Sequence, residues 1–114
     1  MLIVTTPFVL DKEGKESREL VTLGLVSGSV VQSKHFGRDI MAGLKTIVGG
    51  EIKGYTEMLN EARQIALQRM EAEAARLGAD AVVMTSFSSS AVMDGAAEVL
   101  AYGTAVKFGR TNQI

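Results

Sequence analysis

The chain has 114 residues, a formal net charge of −1, no cysteine and one histidine. That length fits one domain, 1–114, with a modest core, and the balanced charge leaves no electrostatic footprint for nucleic acid. Without cysteine there are no disulfides, no thiolate nucleophile and no thiolate metal site, and no apolar run is long enough to span a bilayer.

The opening Met1-Leu2-Ile3-Val4 lacks a basic region and a cleavage site, so no signal peptide is expected and the cytoplasm is the default location. Residues 2–6 form a short β-prone run ended by Pro7, which Phe8-Val9-Leu10 extends as an edge. Residues 11–18 are charged, contain Gly14 and read as a turn or exposed loop. Residues 19–31 are strand-like, with Gly24 and Gly28 expected to be bulges or bends. Both faces of this strand are partly apolar, where a half-exposed antiparallel strand would show one polar face.

Residues 32–37 connect onward and carry His35. A short helix is expected over 38–48, with Ile40, Met41, Leu44, Ile47 and Val48 at helical spacing and Asp39 in the first turn, where it suits the dipole. Gly49-Gly50 is expected to end it, and 51–54 to link it to a second helix as an αα-hairpin or an angled pair.

That second helix, 55–77, is the element the rest must be built around. Tyr55, Leu59, Ala62, Ala66, Met70 and Leu77 fall on one stripe at 100° per residue, flanked by Met58, Ile65 and Ala74. No proline or glycine interrupts it, and Gly78 suits the left-handed residue after its end. Two charges break the stripe, Glu73 near its middle and Arg69 on its edge. Either both snorkel to water from the helix edge, or they pair at i, i+4 spacing, as at a subunit contact. A catalytic role for Glu73 would need a partner acid or base, which the sequence does not show.

After Gly78, residues 81–88 read as a strand, followed by a serine-rich turn through Ser90. Asp94-Gly95 is a turn signal, and the last strand is expected over 97–108, with 110–114 a frayed tail. The order is β-β-α-α-β-β, an α+β fold with an antiparallel sheet covered by one long and one short helix. The second sheet face is too apolar for water and no element remains to cover it, so a neighbouring subunit is the economical cover.

Several segments carry a family resemblance: Thr5-Thr6-Pro7, Arg38-Asp39, Ile47-Val48-Gly49-Gly50, Tyr55, Ala62-Arg63, Gly78-Ala79-Asp80-Ala81-Val82 and Gly103-Thr104-Ala105-Val106. Together they resemble the YbjQ-like bacterial proteins, whose domain carries the name "putative heavy-metal-binding". The resemblance covers nearly the whole chain and implies a dodecin-like subunit and a ring-shaped homopentamer. The chain departs from the pattern at Thr46, Glu51 and Thr56, where the family tends to carry an acid, an arginine and a glutamate. It also departs at Met84, often glycine, and near Ser86 and Ser88, often acidic. If those acids help to hold a metal, this chain lacks several of them.

Metal chemistry is thinly supplied by the residues themselves. Soft metals want thiolate, thioether or imidazole, and His35 is the one imidazole, a weak candidate ligand. Met41, Met58 and Met70 sit at core spacing and read as filler. A site at a ring axis, with one ligand from each subunit, stays open. Gly49, Gly50 and Gly54 lack the Lys-Ser or Lys-Thr of a phosphate loop, and the hydroxyls at 85–90 have no histidine near them in sequence. Arg38, Asp39, Arg69 and Glu73 are the candidate interface residues, and no catalytic residue or cofactor is assigned. The expectation is therefore an oligomeric, non-catalytic binding or structural protein whose partner is itself, with no nucleic acid and no membrane. The alternative is an enzyme whose carboxylates, such as Glu73, Asp80 and Glu98, meet at subunit interfaces.

Overall fold

A computed structural model describes residues 1–33 and 49–109. In chain order the elements are β1 (Leu2–Ile3), β2 (Leu20–Ser33), α1 (Gly49–Arg76), β3 (Ala81–Met93) and β4 (Ala96–Phe108). They form one four-stranded sheet in the order β1-β3-β4-β2. The sheet is mixed rather than antiparallel: β3 and β2 flank β4 antiparallel, but β1 runs parallel to β3. The cause is that the N-terminal strand joins the edge of β3 instead of pairing with its sequence neighbour β2. The expected short helix, with Arg38 and Asp39, and the tail beyond Gly109 lie outside the described residues, as does His35.

Two boundaries differ from expectation. Gly49, Gly50 and the 51–54 link belong to α1. Glycine in a helix costs only about 1 kcal/mol relative to alanine, so a glycine pair does not force a stop without a proline or a cap. The strand expected over 81–88 does not end in a serine-rich turn: Ser89 and Ser90 continue it, because its register with β4 runs through Ser90↔Glu98 to Met93↔Ala96. The turn is the two-residue Asp94-Gly95, with Gly95 at φ 75°, as two-residue hairpin loops favour.

The end of α1 follows its sequence signal. Gly78 adopts φ 78°, the Ala79 N–H donates to the Ala74 carbonyl at 3.1 Å, and the Gly78 N–H donates to Ala75 at 3.0 Å. Leu77 thus falls beyond the helix and is exposed. The buried face of α1 is Met58, Ala62, Ala66, Met70 and Ala74, packed on Val26, Val82, Val99, Ala101 and Ala105. Most of these side chains are small, so the helix can lie close to the sheet. It comes closest at Gly28, where a β-carbon would stand 2.4 Å from the Ala66 carbonyl oxygen and 2.4 Å from the Met70 nitrogen. Gly28 is therefore a seat for the helix backbone and not a bulge. The bulge in β2 falls between Thr22 and Gly24, where Gly24 takes φ 144°.

Among the described residues, the opposite face of the sheet is covered at one end only. There Val9 packs with Ala81, Val83 and Val106, and the Arg18 guanidinium lies 3.7 Å from the centre of the Phe108 ring. Further along, Leu25, Val31 and Tyr102 stand exposed, with Leu25 76% and Val31 63% accessible. The β3–β4 hairpin reaches past the covered end, and the Cα atoms extend over 62 × 26 × 18 Å with a radius of gyration of 18.2 Å. A compact chain of this length would have about 13 Å.

One backbone outlier marks where the covered part of β3 ends. Met84 adopts φ 55° at a bulge between Val83 and Ser86. Its N–H donates to the Thr6 carbonyl and that of Thr85 to the Val4 carbonyl, both at 3.0 Å. A left-handed L-residue costs roughly 1–2 kcal/mol, and the glycine that the resembling family often carries here would avoid that cost.

Gly28→Ala should force α1 off the sheet and cost about 3 kcal/mol, at the upper end of overpacking penalties. Urea denaturation at fixed protein concentration reads this directly, and an unchanged midpoint would show that the close approach does not hold in solution.

Candidate functional site

The polar groups that interact most specifically lie along the outer edge of β2. The Ser27 N–H donates to Glu73 Oε1 at 2.8 Å, and Arg69 Nη1 donates to the Ser29 carbonyl at 2.6 Å. Further along, Gln32 Nε2 donates to Glu61 Oε1 at 2.8 Å. Gly28 lies between the two bonded serines, so the closest helix–strand approach and these two bonds form one unit. An edge strand exposes a row of unpaired backbone groups, and here helix side chains occupy part of that row.

This corrects the i, i+4 pairing considered for Arg69 and Glu73. The two side chains do not bond to each other; each bonds to the backbone of β2. Glu73 is half-buried and Arg69 exposed. Both depart from the apolar stripe because the strand edge beside it offers a donor to one and an acceptor to the other. An ion pair is found elsewhere, between the Met1 ammonium and Glu71 at 3.2 Å.

The other carboxylates do not converge with Glu73 within one chain. Asp80 Oδ2 accepts the Phe108 N–H at 2.8 Å, and Lys107 Nζ donates to the Gly78 carbonyl at 3.1 Å, so both groups tie the end of β4 to the turn after α1. Glu98 lies ten residues before Phe108 on β4, which is about 33 Å along a strand. Asp80 and Glu98 therefore cannot share a substrate inside one subunit.

No group of three or more His, Cys, Asp or Glu side chains suited to a metal occurs among the described residues. Met58 and Met70 are fully buried core residues, so their thioethers are packing atoms. The donor set within the described residues thus does not fit a soft-metal site. The Thr85 hydroxyl is buried without a hydrogen-bond partner beside the closely packed Gly103. Ser86, Ser88, Ser89 and Ser90 are exposed along β3.

With this geometry in place, similarity to known proteins is decisive for family. Residues 1–109 match the family model YbjQ_1, described as "Putative heavy-metal-binding". The chain belongs to the YbjQ-like family. It is 62% identical over 107 residues to a UPF0145 protein of Photobacterium profundum, covering 94% of this chain and 99% of that one. It is 63% identical over 107 residues to a UPF0145 protein of Thermotoga maritima, covering 94% and 96%. Among solved structures, a DUF74-family protein of unknown function from Pediococcus pentosaceus superposes with TM-score 0.66. That likeness, at 15% identity over 96% of this chain and 98% of that one, is one of fold. The YbjQ-like assignment makes a metal admissible by name only.

Sequence reasoning picked out Arg69 and Glu73 but missed what they hold, the backbone of Ser27 and Ser29. The available signal was Gly28 between two serines, a strand segment whose small side chains admit a helix.

A double-mutant cycle tests the clamp. Arg69→Ala and Glu73→Ala should each destabilise by about 0.5–1.5 kcal/mol, the net worth of a hydrogen bond whose backbone partner on the exposed edge of β2 can turn to water instead. Since the two side chains are not bonded to each other, the losses should add to within about 0.5 kcal/mol. A coupling well above that would restore the ion pair.

Proposed function

We propose that the protein acts as a homo-oligomer, a ring of five subunits, that binds or scaffolds and performs no catalysis of its own. The observation that carries this reading is the bare sheet face around Leu25 and Val31 on β2 and Tyr102 on β4. Monomers rarely leave a large apolar patch in water, and a subunit contact is the usual cover. The number five rests on the family resemblance and not on the geometry. The absence of cysteine agrees with a reducing, cytoplasmic setting.

The enzyme alternative needs carboxylates that meet. Glu73 holds a strand edge and Asp80 ties the end of β4, so Glu98 is the carboxylate of the three with no such bond. Five copies of one carboxylate around an axis could bind a cation, but no acid–base pair follows from them.

The name of the family leaves a metal open, and the residues weigh against a tight soft-metal site. Calorimetry with zinc, copper and cadmium on the intact protein should show no submicromolar binding. Submicromolar binding that disappears in His35→Ala would overturn this and place a ligand at that residue.

Sedimentation equilibrium at micromolar concentration should give a mass several times the 12.1 kDa of one chain, five times if the ring is pentameric. Leu25→Asp, which puts a charge on the bare face, should shift the mass toward the monomer while leaving the helix content in place. A monomeric wild type would sink the proposal.

A further inference from the structure

The two edges of the sheet are treated differently. The β2 edge is clamped at Ser27 and Ser29 by α1. The β3 edge is occupied by β1 and the residues after it only as far as Thr85, through Val4 and Thr6. Beyond the bulge, β3 continues from Ser86 to Met93 with every residue exposed. The Thr85 N–H points to the outer edge, since it donates to Val4. Alternation then directs the backbone groups of Phe87, Ser89 and Ala91 to that edge, and those of Ser86, Ser88 and Ser90 to β4. The β2–β4 register agrees. The Ser27 N–H points away from β4, so its partner Tyr102 turns its backbone groups to β3, where it opposes Ser86. Among the described residues, nothing pairs with the outward groups of Phe87, Ser89 and Ala91.

We propose that the β3 edge from Phe87 to Ala91 is a strand-pairing site for a second copy of this chain, which extends the sheet across the subunit boundary. This rests on the oligomeric reading above and names the surface that it uses. Natural sheets guard a free edge with charge, proline or a covering element, and residues 86–93 carry no charge and no proline. An uncharged strand gives a charged partner nothing to read, whereas it meets another copy of this near-neutral chain without repulsion. The size also fits. Eight residues of strand run about 27 Å, and three strands of bare face behind them offer about 400 Å² in plane, more as accessible surface. That is on the scale of the roughly 800 Å² that one partner contributes to a standard interface. Head-to-tail use of the edge suits a ring and β3 against β3 suits a two-fold dimer; both draw on the same outward groups.

Ser89→Pro is the selective test. It deletes an N–H that points outward and spares the ladder to β4, and proline is tolerated on an edge for that reason. Ser89→Lys, which puts a guarding charge on the edge, is the second variant. Each should weaken self-association about tenfold or more by sedimentation, which is about 1.4 kcal/mol, while far-UV circular dichroism stays that of the wild type. If Ser89→Pro misfolds, Ser89→Lys decides alone. An oligomeric wild type whose mass and dissociation constant are unchanged by the folded variants overturns the edge proposal and leaves the oligomer standing. The edge proposal also fails if only Leu25→Asp disrupts assembly, since contact is then through the face. A monomeric wild type overturns both. A monomer that binds a peptide of another sequence along 87–91 would likewise overturn the second copy as occupant.

Discussion

The contact between Gly28 and the backbone of α1 is the constraint on which the rest of the subunit depends. No side chain fits between the strand and the Ala66–Met70 turn. Contact at that range is possible only because Ala62, Ala66 and Ala74 face Val26, Ala101 and Ala105. A helix face built from alanine and methionine buries less area per residue than one built from leucine. It gains instead from dense packing, where many weak atom contacts add up. The approach also sets the reach of the long side chains: Arg69 and Glu73 touch the β2 backbone because the helix axis is held so close to it.

That geometry explains why the amphipathic pattern of α1 was legible in part. Ala62, Ala66 and Met70 lie on the buried face as the wheel places them, and Met58 and Ala74 complete it. Tyr55 and Leu59 are only half-buried and Leu77 lies past the helix end. The local signal fails at the start of the helix, where two glycines read as a stop but are helical at a cost of only about 1 kcal/mol each. The serine run misled for a related reason. Serine favours turns through local hydrogen bonds, yet the register with the thirteen-residue β4 carries it as strand. Gly78 and Asp94-Gly95 were read correctly because their chemistry is local: a left-handed position needs glycine whatever packs around it.

The candidate site was less legible than the fold. Sequence could flag Arg69 and Glu73 as charges out of place, but their partners are backbone groups 40 and 46 residues away, and a backbone group has no signature in a sequence. The same holds for Met84, whose left-handed conformation is imposed by the Val4 and Thr6 carbonyls across the edge. Nothing in the residue type announces it.

These features bear on how a small chain with few core residues is stabilised. The described hydrophobic core consists mostly of alanine and valine, which bury little area each. The distal half of β3, from Ser86 to Met93, is exposed throughout, yet holding it in one conformation costs entropy of about 1–2 kcal/mol per residue in the backbone alone. Ladder hydrogen bonds from β3 to its one neighbour β4 return only part of that. A contact on its bare face or bare edge would add stability to this stretch. With β2 clamped by the helix and the pairing of the N-terminal segment ending at Thr6, the described residues leave the distal part of β3 as an unpaired edge. On the oligomeric reading proposed above, association would add to the stability of this stretch, and its melting should then depend on protein concentration, whereas the Gly28 contact near the centre of the chain's fold should not.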